Sequence, residues 1–378
     1  MVKIQSRPFS DSLLLESKEA KNNYFKNLTV PHKKLQSALE LLLINTLEPA
    51  DTLVFLVFGV TGVGKTTLRR RFEKVLLEEF LPSLRQNPGQ IAVAGMEAIP
   101  AEQGKFSYKD YYTRALEALK EVLIEYKANY RLSSSEANDL KCLNQGHYKD
   151  SPALRRAMEK VFRYRQLKAF TIDEAQHLLM MAGGHQMLHQ MNWVKSIANL
   201  TGTVHILFGT YELLNCPTLN GQMGRRSEDI HLTPYEADNA EDIAEFIRVI
   251  KTFQRHLPLV EEPNLEKHYE YLFSGSIGCV GLLKNWLTRS LRVALSEEAL
   301  TLNNKHLKRG ALGAARLKKI KEEAFQGLRR FREESNFDSQ QCLTEYNIEI
   351  PAPGSAKKGR VGQRKPLRDA VGANSDDS

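Results

Sequence analysis

The sequence contains few cysteines and has no long apolar run. Its four cysteines lie far apart and form no C-x-x-C pair; they are Cys142, Cys216, Cys279 and Cys342. This spacing argues against a zinc site or a disulfide framework and favours a reducing compartment. The N-terminal residues lack the apolar stretch of a secretory signal, and no run approaches the ~20 residues that span a bilayer. We therefore expect a cytoplasmic protein.

Neither sign of charge strongly dominates the sequence. Lys and Arg number 53 against 45 Asp and Glu, and the formal net charge of +8 fits a polyanionic partner without proving one. The hydrophobic content of 42% and the charged content of 26% are typical of a globular protein with a substantial core. A chain of 378 residues predicts one large domain with appendages, or two domains.

The first motif is a glycine-rich loop between a predicted strand and a predicted helix. An apolar run at residues 53–58 is followed by the pattern G-x-x-x-x-G-K-T and then by a helical segment at 68–72. Strand, glycine loop and helix form the context of a phosphate-binding loop, and this context disfavours a chance match. The loop residues predicted to bind the nucleotide are Gly59, Val60, Thr61, Gly62, Val63, Gly64, Lys65, Thr66 and Thr67. Lys65 would contact the β- and γ-phosphates of ATP, and the Thr66 hydroxyl would bind Mg²⁺.

The second motif is an acidic pair that follows a short apolar strand. In the segment LKAFTIDEAQHL, Asp173 and Glu174 come directly after this strand. The first acid of such a pair orients Mg²⁺ through water, and the second polarises the attacking water as a general base. Acidic pairs at strand ends are common by chance, but the upstream phosphate loop strengthens the prediction because both must meet one nucleotide.

Two later positions complete the predicted nucleotide site. Thr210 follows a buried strand, where it could sense the γ-phosphate, cap the helix that begins after it, or do both. Arg225 and Arg226 lie in a glycine-bearing segment before a last strand, which suits an arginine finger acting on a neighbouring subunit. The alternative for the arginines is a surface pair that binds nucleic acid or nothing.

Four regions are predicted along the chain. Residues 1–29 form a polar arm that orders only against a partner, and residues 30–236 form an α/β domain with a central parallel sheet. Within it, residues 90–95 are a strand, and a helix from residue 109 to about 130 buries Tyr112, Ala115, Leu116, Leu119, Val122 and Leu123. Residues 237–335 form a helical lid and C-terminal helices, in which the basic stretch 305–332 is a solvated helix face. Residues 336–378 are a disordered basic tail.

Several segments together resemble the TnsC/TniB family of AAA+ transposition regulators. They are VPHKKLQSALELL, FGVTGVGKTTL, VAGMEAIPAEQGKFSYKDYYTRALEAL, LKAFTIDEAQHLL and ILFGTYEL. The third is the most specific, because its strand, acid, proline and G-x-F-x-x-K-D-x-Y helix start are similar to this family rather than to AAA+ proteins in general. The resemblance covers about residues 30–295.

This resemblance implies a function in DNA transposition. ATP-bound subunits would form a ring or a helical filament around duplex DNA, and ATP hydrolysis would disassemble it. The assembly would link a TniQ/TnsD-type target selector, in some systems RNA-guided, to a TnsB/TnsA-type transposase, with the basic tail as the predicted docking segment. The expected location is then the prokaryotic cytoplasm, in association with the nucleoid.

The resemblance also implies roles for individual residues. It assigns ATP and Mg²⁺ to the phosphate loop with Asp173 and Glu174, a sensor to Thr210, and a finger to Arg225 or Arg226. Phosphate contacts to DNA would come from Lys105, Lys109, Arg131 and Ser133. One departure concerns the lid: the arginine that often follows its second glycine is missing, since Gly281 precedes two leucines. Lys284 is a candidate substitute, with slower or altered hydrolysis as the consequence.

Two other classes of function compete with this interpretation. The first is another P-loop ATPase, either an origin-recognition-like loader or a STAND-type signalling switch; a winged-helix domain after the lid would favour the loader. The second is an interaction module that binds ATP without hydrolysing it. The intact pair Asp173 and Glu174 argues against that module.

Overall fold

The computed structural model describes residues 7–50, 52–100, 106–122, 124, 151–179, 184–215 and 227–335. The chain divides into two compact units, residues 1–331 and residues 332–378. Of the second unit only residues 332–335, the end of the last helix, are described. The tail predicted to be disordered therefore lies outside the described residues.

The first unit is organised around a parallel five-stranded sheet in the order β2-β3-β4-β1-β5. Its strands are β1 (Val54–Phe58), β2 (Val93–Glu97), β3 (Ala169–Asp173), β4 (Val204–Gly209) and β5 (Ser227–His231). Every residue of β1, β3 and β4 is buried, as expected where helices cover both faces of a parallel sheet. The predicted α/β fold with a central parallel sheet is confirmed.

Helices cover the sheet and continue beyond it. Those of the first half are α1 (Ser12–Leu15), α2 (Lys18–Asn27), α3 (Lys33–Leu47), α4 (Lys65–Glu79), α5 (Leu81–Gln86), α6 (Tyr108–Ala118) and α7 (Ser151–Tyr164). Those of the second half are α8 (Gln176–Leu179), α9 (Gly184–Thr201), α10 (Ala240–His256), α11 (Tyr269–Ser276), α12 (Val280–Ser296), α13 (Asn304–Gly310) and α14 (Ala314–Ser335). Short 3₁₀ helices span Tyr211–Asn215 and Glu266–His268. Among the described residues, none of these helices combines the length and the apolar character that crossing a membrane requires.

The segment that follows β2 differs from its prediction. The strand begins at Val93 rather than residue 90, and α6 ends at Ala118 rather than near residue 130. Ser107 caps the helix start by accepting a hydrogen bond from Asp110 N, and Lys120, at φ 55°, adopts a left-handed conformation that ends the helix. Because the helix stops there, Val122 is exposed, and its predicted burial is wrong.

The prediction that the N-terminal arm, residues 1–29, orders only against a partner is wrong for residues 18–29. Helix α2 packs against α12, and Phe25 is fully buried beside Phe253. Tyr24 adds a polar contact, with its Oη 2.7 Å from His256 Nδ1. The polar composition of this segment concealed two apolar side chains, Phe25 and Val30, that complete the core of the helical region.

The buried apolar residues form two cores. One surrounds the sheet, and the other joins α2 with α10 to α13 around Trp286. Helix α14 places Ile320 and Ala324 in the core of the sheet, so this helix packs on the α/β region rather than on the other C-terminal helices. The predicted boundaries at residues 30, 237 and 336 stay predictions.

We expect Phe25→Ala to lower the free energy of unfolding by about 3 kcal/mol. The substitution removes a fully buried ring and leaves a cavity between α2 and α10. Urea unfolding followed by circular dichroism and by tryptophan fluorescence measures the change.

Leu15→Ala is the matched control, because this side chain is 91% exposed. Its effect should stay within about 0.5 kcal/mol. Equal stability of the two variants would mean that α2 is not docked on the helical region.

Candidate functional site

The glycine-rich loop joins the end of β1 to the start of α4. Gly62 and Gly64 have φ values of 83° and 123°, a backbone conformation that L side chains rarely adopt, so the turn requires glycine at both positions. Lys65 is the first residue of α4, and its Nζ donates hydrogen bonds to Gly59 O at 2.8 Å and to Val60 O at 3.1 Å. The lysine therefore folds back onto the carbonyls of its own loop.

The Lys65 ammonium is almost completely buried. Burial lowers its pKa, whereas the nearby carboxylates of Glu174, Glu323 and Asp173 act in the opposite direction. A desolvated ammonium that lies among acids and glycine-loop amides forms a site for a polyanion with an accompanying cation.

The two predicted acids lie at the carboxyl end of β3. Asp173 is its last residue and is buried, and its Oδ1 accepts a hydrogen bond from Glu174 N at 3.1 Å. Glu174 has φ 51°, a left-handed conformation that is unusual for a non-glycine residue and that clusters at functional sites. Arg69 of α4 lies behind the pair, with its Nε 3.8 Å from Asp173 Oδ2.

A glutamine connects the acidic pair to the neighbouring strand. Gln176 is buried; its Nε2 donates to Glu174 Oε2 at 2.5 Å, and its Oε1 accepts from Thr210 N at 3.2 Å. A backbone N–H can only donate, so the amide orientation is determined by its partners. Gly209 leaves room for this contact, since a Cβ there would lie 2.7 Å from Gln176 Oε1.

Thr210 lies directly after β4, between the strands that carry the loop and the acids, as predicted. Its hydroxyl donates to Glu212 Oε2 at 3.2 Å and accepts from Glu212 N at 3.4 Å. The predicted capping contact is therefore present at the start of the following 3₁₀ helix. Because Thr210 also lies at the strand end, the sensor role is compatible with this capping contact.

The start of α12 also lies against the glycine-rich loop. A Cβ on Gly281 would lie 2.4 Å from Gly62 O, and Leu282 lies against Gly62, so the start of α12 contacts the loop closely. Beside this contact is a cleft lined in part by Val30, His32, Leu35, Thr67, Val280 and Lys284. Lys284 thus lines the cleft where the expected arginine is missing. Burial and Arg70 lower the pKa of Lys284.

His32 lies in the same cleft and behaves as a neutral group. Burial, with a smaller effect of Lys34, lowers the pKa of His32 to about 4. Its Nδ1 lies 3.2 Å from Tyr235 Oη and 3.4 Å from Leu35 N, which it caps. At neutral pH this side chain adds hydrogen bonding to the cleft, but no charge.

A third carboxylate reaches the loop from the last helix. Thr61 Oγ1 lies 3.1 Å and 3.3 Å from the two carboxylate oxygens of Glu323 in α14. This contact was not predicted, because Glu323 falls within the basic stretch interpreted as a solvated helix face. Gln176 was also missed, although it stands two residues after Glu174 in the acidic motif.

The described residues bring together the loop, Asp173, Glu174 and Thr210 at one edge of the sheet. Lys109 is the second residue of α6 and is half-buried. The remaining predicted site residues, Arg225, Arg226, Lys105, Arg131 and Ser133, lie outside the described residues.

The residues at this edge also fit Mg²⁺. Within the part of the chain that the structure describes, no group of three or more His, Cys, Asp or Glu side chains could hold a metal ion alone. Mg²⁺ in nucleotide sites takes one or two protein ligands, and water and phosphate oxygens supply the others. The hydroxyl of Thr66 and the buried carboxylate of Asp173 supply oxygen ligands of the kind that this requirement names. Arg69 Nε lies 3.8 Å from Asp173 Oδ2.

Comparisons with known proteins agree with this geometry. Residues 50–216 match the family model described as "AAA domain". No curated protein sequence matches the chain. Among solved structures, the chain is similar to the Aeropyrum pernix ORC2 protein in its ADP form, with 14% identity, 76% of this chain and 71% of that chain covered, and a TM-score of 0.50.

Two further solved structures are similar at lower TM-scores. A Walker-type ATPase of Pyrococcus abyssi has 16% identity, with 88% of this chain and 79% of that chain covered and a TM-score of 0.41. Cdc6p from Pyrobaculum aerophilum has 16% identity, with 76% and 70% covered and a TM-score of 0.48. The similarity to ORC2 supports the fold alone. Residues 50–216 are thus similar to an AAA domain, and the sheet order and the similarity to ORC2 support an α/β fold followed by a helical region.

Proposed function

We propose that this protein is an ATP-dependent, DNA-binding regulator of DNA transposition. In the ATP state it assembles on duplex target DNA and links a target-selection protein of the TniQ/TnsD type to a transposase; hydrolysis releases the assembly. The observation that carries this proposal is the segment from β2 into α6. Its sequence resembles the TnsC/TniB family, and the described end of β2 contacts Arg69, which also lies beside Asp173.

The connection runs through Arg69. Its Nη1 donates to Met96 O at the end of β2 at 3.0 Å, and its Nε lies 3.8 Å from Asp173 Oδ2. Glu97 is also the register partner of Asp173 across the two strands. Arg69 therefore contacts both Asp173 and the strand that precedes Lys105 and Lys109 in the sequence, and we propose that this shared contact links the acid to the phosphate contacts to DNA.

The chemical roles follow from the positions of the side chains. Lys65 exchanges its loop carbonyls for the β- and γ-phosphate oxygens, and Glu174 accepts the proton of the attacking water. Mg²⁺, held by Thr66 and Asp173, would supply charge neutralisation at the phosphates. Gln176 orients the Glu174 carboxylate through its own bond to Thr210 N. It acts as a positioning residue that joins the base to the sensor strand.

Assembly requires groups from neighbouring subunits and from DNA. Arg225 or Arg226 supplies a finger to the adjacent nucleotide, Thr210 senses its γ-phosphate, and Arg131 and Ser133 add phosphate contacts to DNA. The basic tail at residues 336–378 docks the transposase. These roles come from the family resemblance.

An origin-loader-like ATPase is the second candidate, favoured by the fold similarity to ORC2. A loader would be expected to carry a winged-helix domain after the lid. Within the described residues 232–335 there are helices and no strands.

Substitution of Glu174 by Gln should leave ATP binding intact and trap the assembled state. Loss of the carboxylate removes the base, so turnover should fall by about 10²- to 10⁴-fold. Negative-stain imaging with duplex DNA and ATP should then show rings or filaments that persist, whereas wild-type assemblies disappear as ATP is consumed.

Lys65→Ala is the control, because it should abolish nucleotide binding and assembly together. If Glu174→Gln assembles on DNA no better than wild type in ATP, the proposed switch is wrong. If it assembles without DNA to the same extent, the ATPase is a switch of another class, such as a STAND-type protein.

DNA affinity in the ATP state should fall steeply with salt. Each phosphate contact contributes a slope of about −0.9 to the plot of log affinity against log salt, and Lys109→Ala should reduce that slope by about 1. Lys74→Ala is the charge-matched control, since Lys74 is exposed on α4 and pairs with Glu78. Fluorescence anisotropy with duplex DNA measures both; a salt-independent affinity would contradict the proposed phosphate contacts.

Gln176→Met should lower the turnover rate by about ten- to a hundredfold without changing the affinity for ATP. Methionine preserves the length of the side chain but removes both hydrogen bonds, so the Glu174 carboxylate loses its fixed orientation. Steady-state ATPase kinetics separate the turnover rate from KM.

Two controls distinguish positioning from a general structural effect. His177→Gln, at the adjacent and partly exposed position, should leave both parameters unchanged. Adding Gln176→Met to Glu174→Gln should produce no further loss, because the glutamine acts through the absent carboxylate. A further loss in the double variant would mean that Gln176 acts independently of Glu174.

A further inference from the structure

The last helix, α14, lies across the carboxyl edge of the sheet. Its contacts reach three strands of that edge: Glu323 meets the loop after β1, Gly327 packs on Tyr211 after β4, and Phe331 lies against His231 at the end of β5. The nucleotide roles described above use the same edge. The helix is thus placed where it can respond to what the phosphate loop holds.

The fit of this helix is close and largely aromatic. A Cβ on Gly327 would lie 2.1 Å from carbons of the Tyr211 ring, so only glycine allows the helix to approach this far. The Phe331 ring centroid lies 4.3 Å from that of His231 and 5.5 Å from that of Phe58. Tyr211 Oη lies 2.8 Å from His231 Nε2, which connects the two contact points. The helix therefore packs closely on the rings of Tyr211, His231 and Phe58.

Glu323 brings a negative charge to the phosphate loop. Glu323 is one of three carboxylates that act on the buried Lys65 ammonium, and it is the only one of the three that comes from outside the α/β region. Its carboxylate compensates part of the positive charge of the phosphate loop. A γ-phosphate bound by Lys65 would bring further negative charge to the same ammonium, and like charges repel.

We propose that Glu323 is a specificity-determining residue that distinguishes nucleoside triphosphate from diphosphate. Its carboxylate holds α14 against Thr61 when the γ-phosphate is absent, and the γ-phosphate displaces it. Diphosphate binds with the helix in place, whereas triphosphate binds at the expense of the helix contact. The proposal rests on the nucleotide site of the proposed function, and it adds a means by which that site controls the C-terminal part of the chain.

The test compares Glu323→Gln with wild type in the full-length protein. The variant should bind a non-hydrolysable ATP analogue about tenfold more tightly, because one repulsive charge is gone, and should bind ADP with an affinity changed by less than about twofold. Titration with fluorescent nucleotides in the presence of Mg²⁺ measures both affinities.

Glu322→Gln is the matched control. It makes the same change of charge at the next residue, where the side chain is exposed and pairs with Lys318 at 3.9 Å. Both nucleotide affinities should stay as in wild type. If Glu322→Gln shifts the ATP analogue as much as Glu323→Gln does, the effect is one of net charge and the proposal is wrong.

A second variant and a second measurement address the helix itself. Phe331→Ala keeps the Glu323 carboxylate and removes the aromatic contacts of α14 with His231 and Phe58. It should therefore also tighten the binding of the ATP analogue relative to that of ADP. In wild type, hydrogen exchange of residues 314–331 should rise with the ATP analogue and stay unchanged with ADP.

The outcomes separate this proposal from the function on which it rests. If neither nucleotide binds the wild type, the proposed nucleotide switch fails and this inference fails with it. If both nucleotides bind but Glu323→Gln shifts them equally, or weakens the ATP analogue, only the role of Glu323 is overturned. An unchanged exchange of residues 314–331 with the ATP analogue would likewise show that the helix is not displaced.

Discussion

The buried ammonium of Lys65 is the group on which the rest of the site depends. A charge removed from water is costly unless other groups replace its hydration. Here two loop carbonyls accept its protons, and three carboxylates from β3 and α14 surround it at longer range. The left-handed glycines make this possible, because they turn the loop so that its carbonyls reach the lysine. The same requirement brings β1, β3 and α14 to one point.

The convergence of the loop, the acids and Thr210 at one edge of the sheet could be predicted from sequence because its signals are local. The loop lies within nine residues between a strand and a helix, and the acids and Thr210 each end a strand of a parallel sheet, whose carboxyl ends meet at one edge. A pattern of this kind needs no knowledge of distant contacts. The order of the strands then places Thr210 between the loop and the acids, as expected.

The residues that sequence reasoning missed depend on contacts between distant segments. Gln176 was visible in its motif, but its bridging contact depends on Thr210 N, which follows another strand, β4. Phe25 and Glu323 stand in polar and basic surroundings, where composition predicts solvent exposure; each instead meets a partner more than 200 residues away. The end of α6 was missed for a different reason, because the left-handed conformation of Lys120 has no clear sequence signal.

Several polar groups of the site are paired with other groups of the same chain. The Lys65 ammonium donates hydrogen bonds to Gly59 O and Val60 O. Gln176 donates to the Glu174 carboxylate, and the Thr61 hydroxyl donates to Glu323. Nucleotide binding is then an exchange of partners rather than the filling of an empty space, and only the difference between the old and the new contacts contributes to the affinity. Because the old partners lie on α8 and α14 as well as on the loop, each exchange changes the contacts of a different segment. Under the proposed nucleotide role, this distribution of partners would let the number of phosphates determine which of these contacts are replaced.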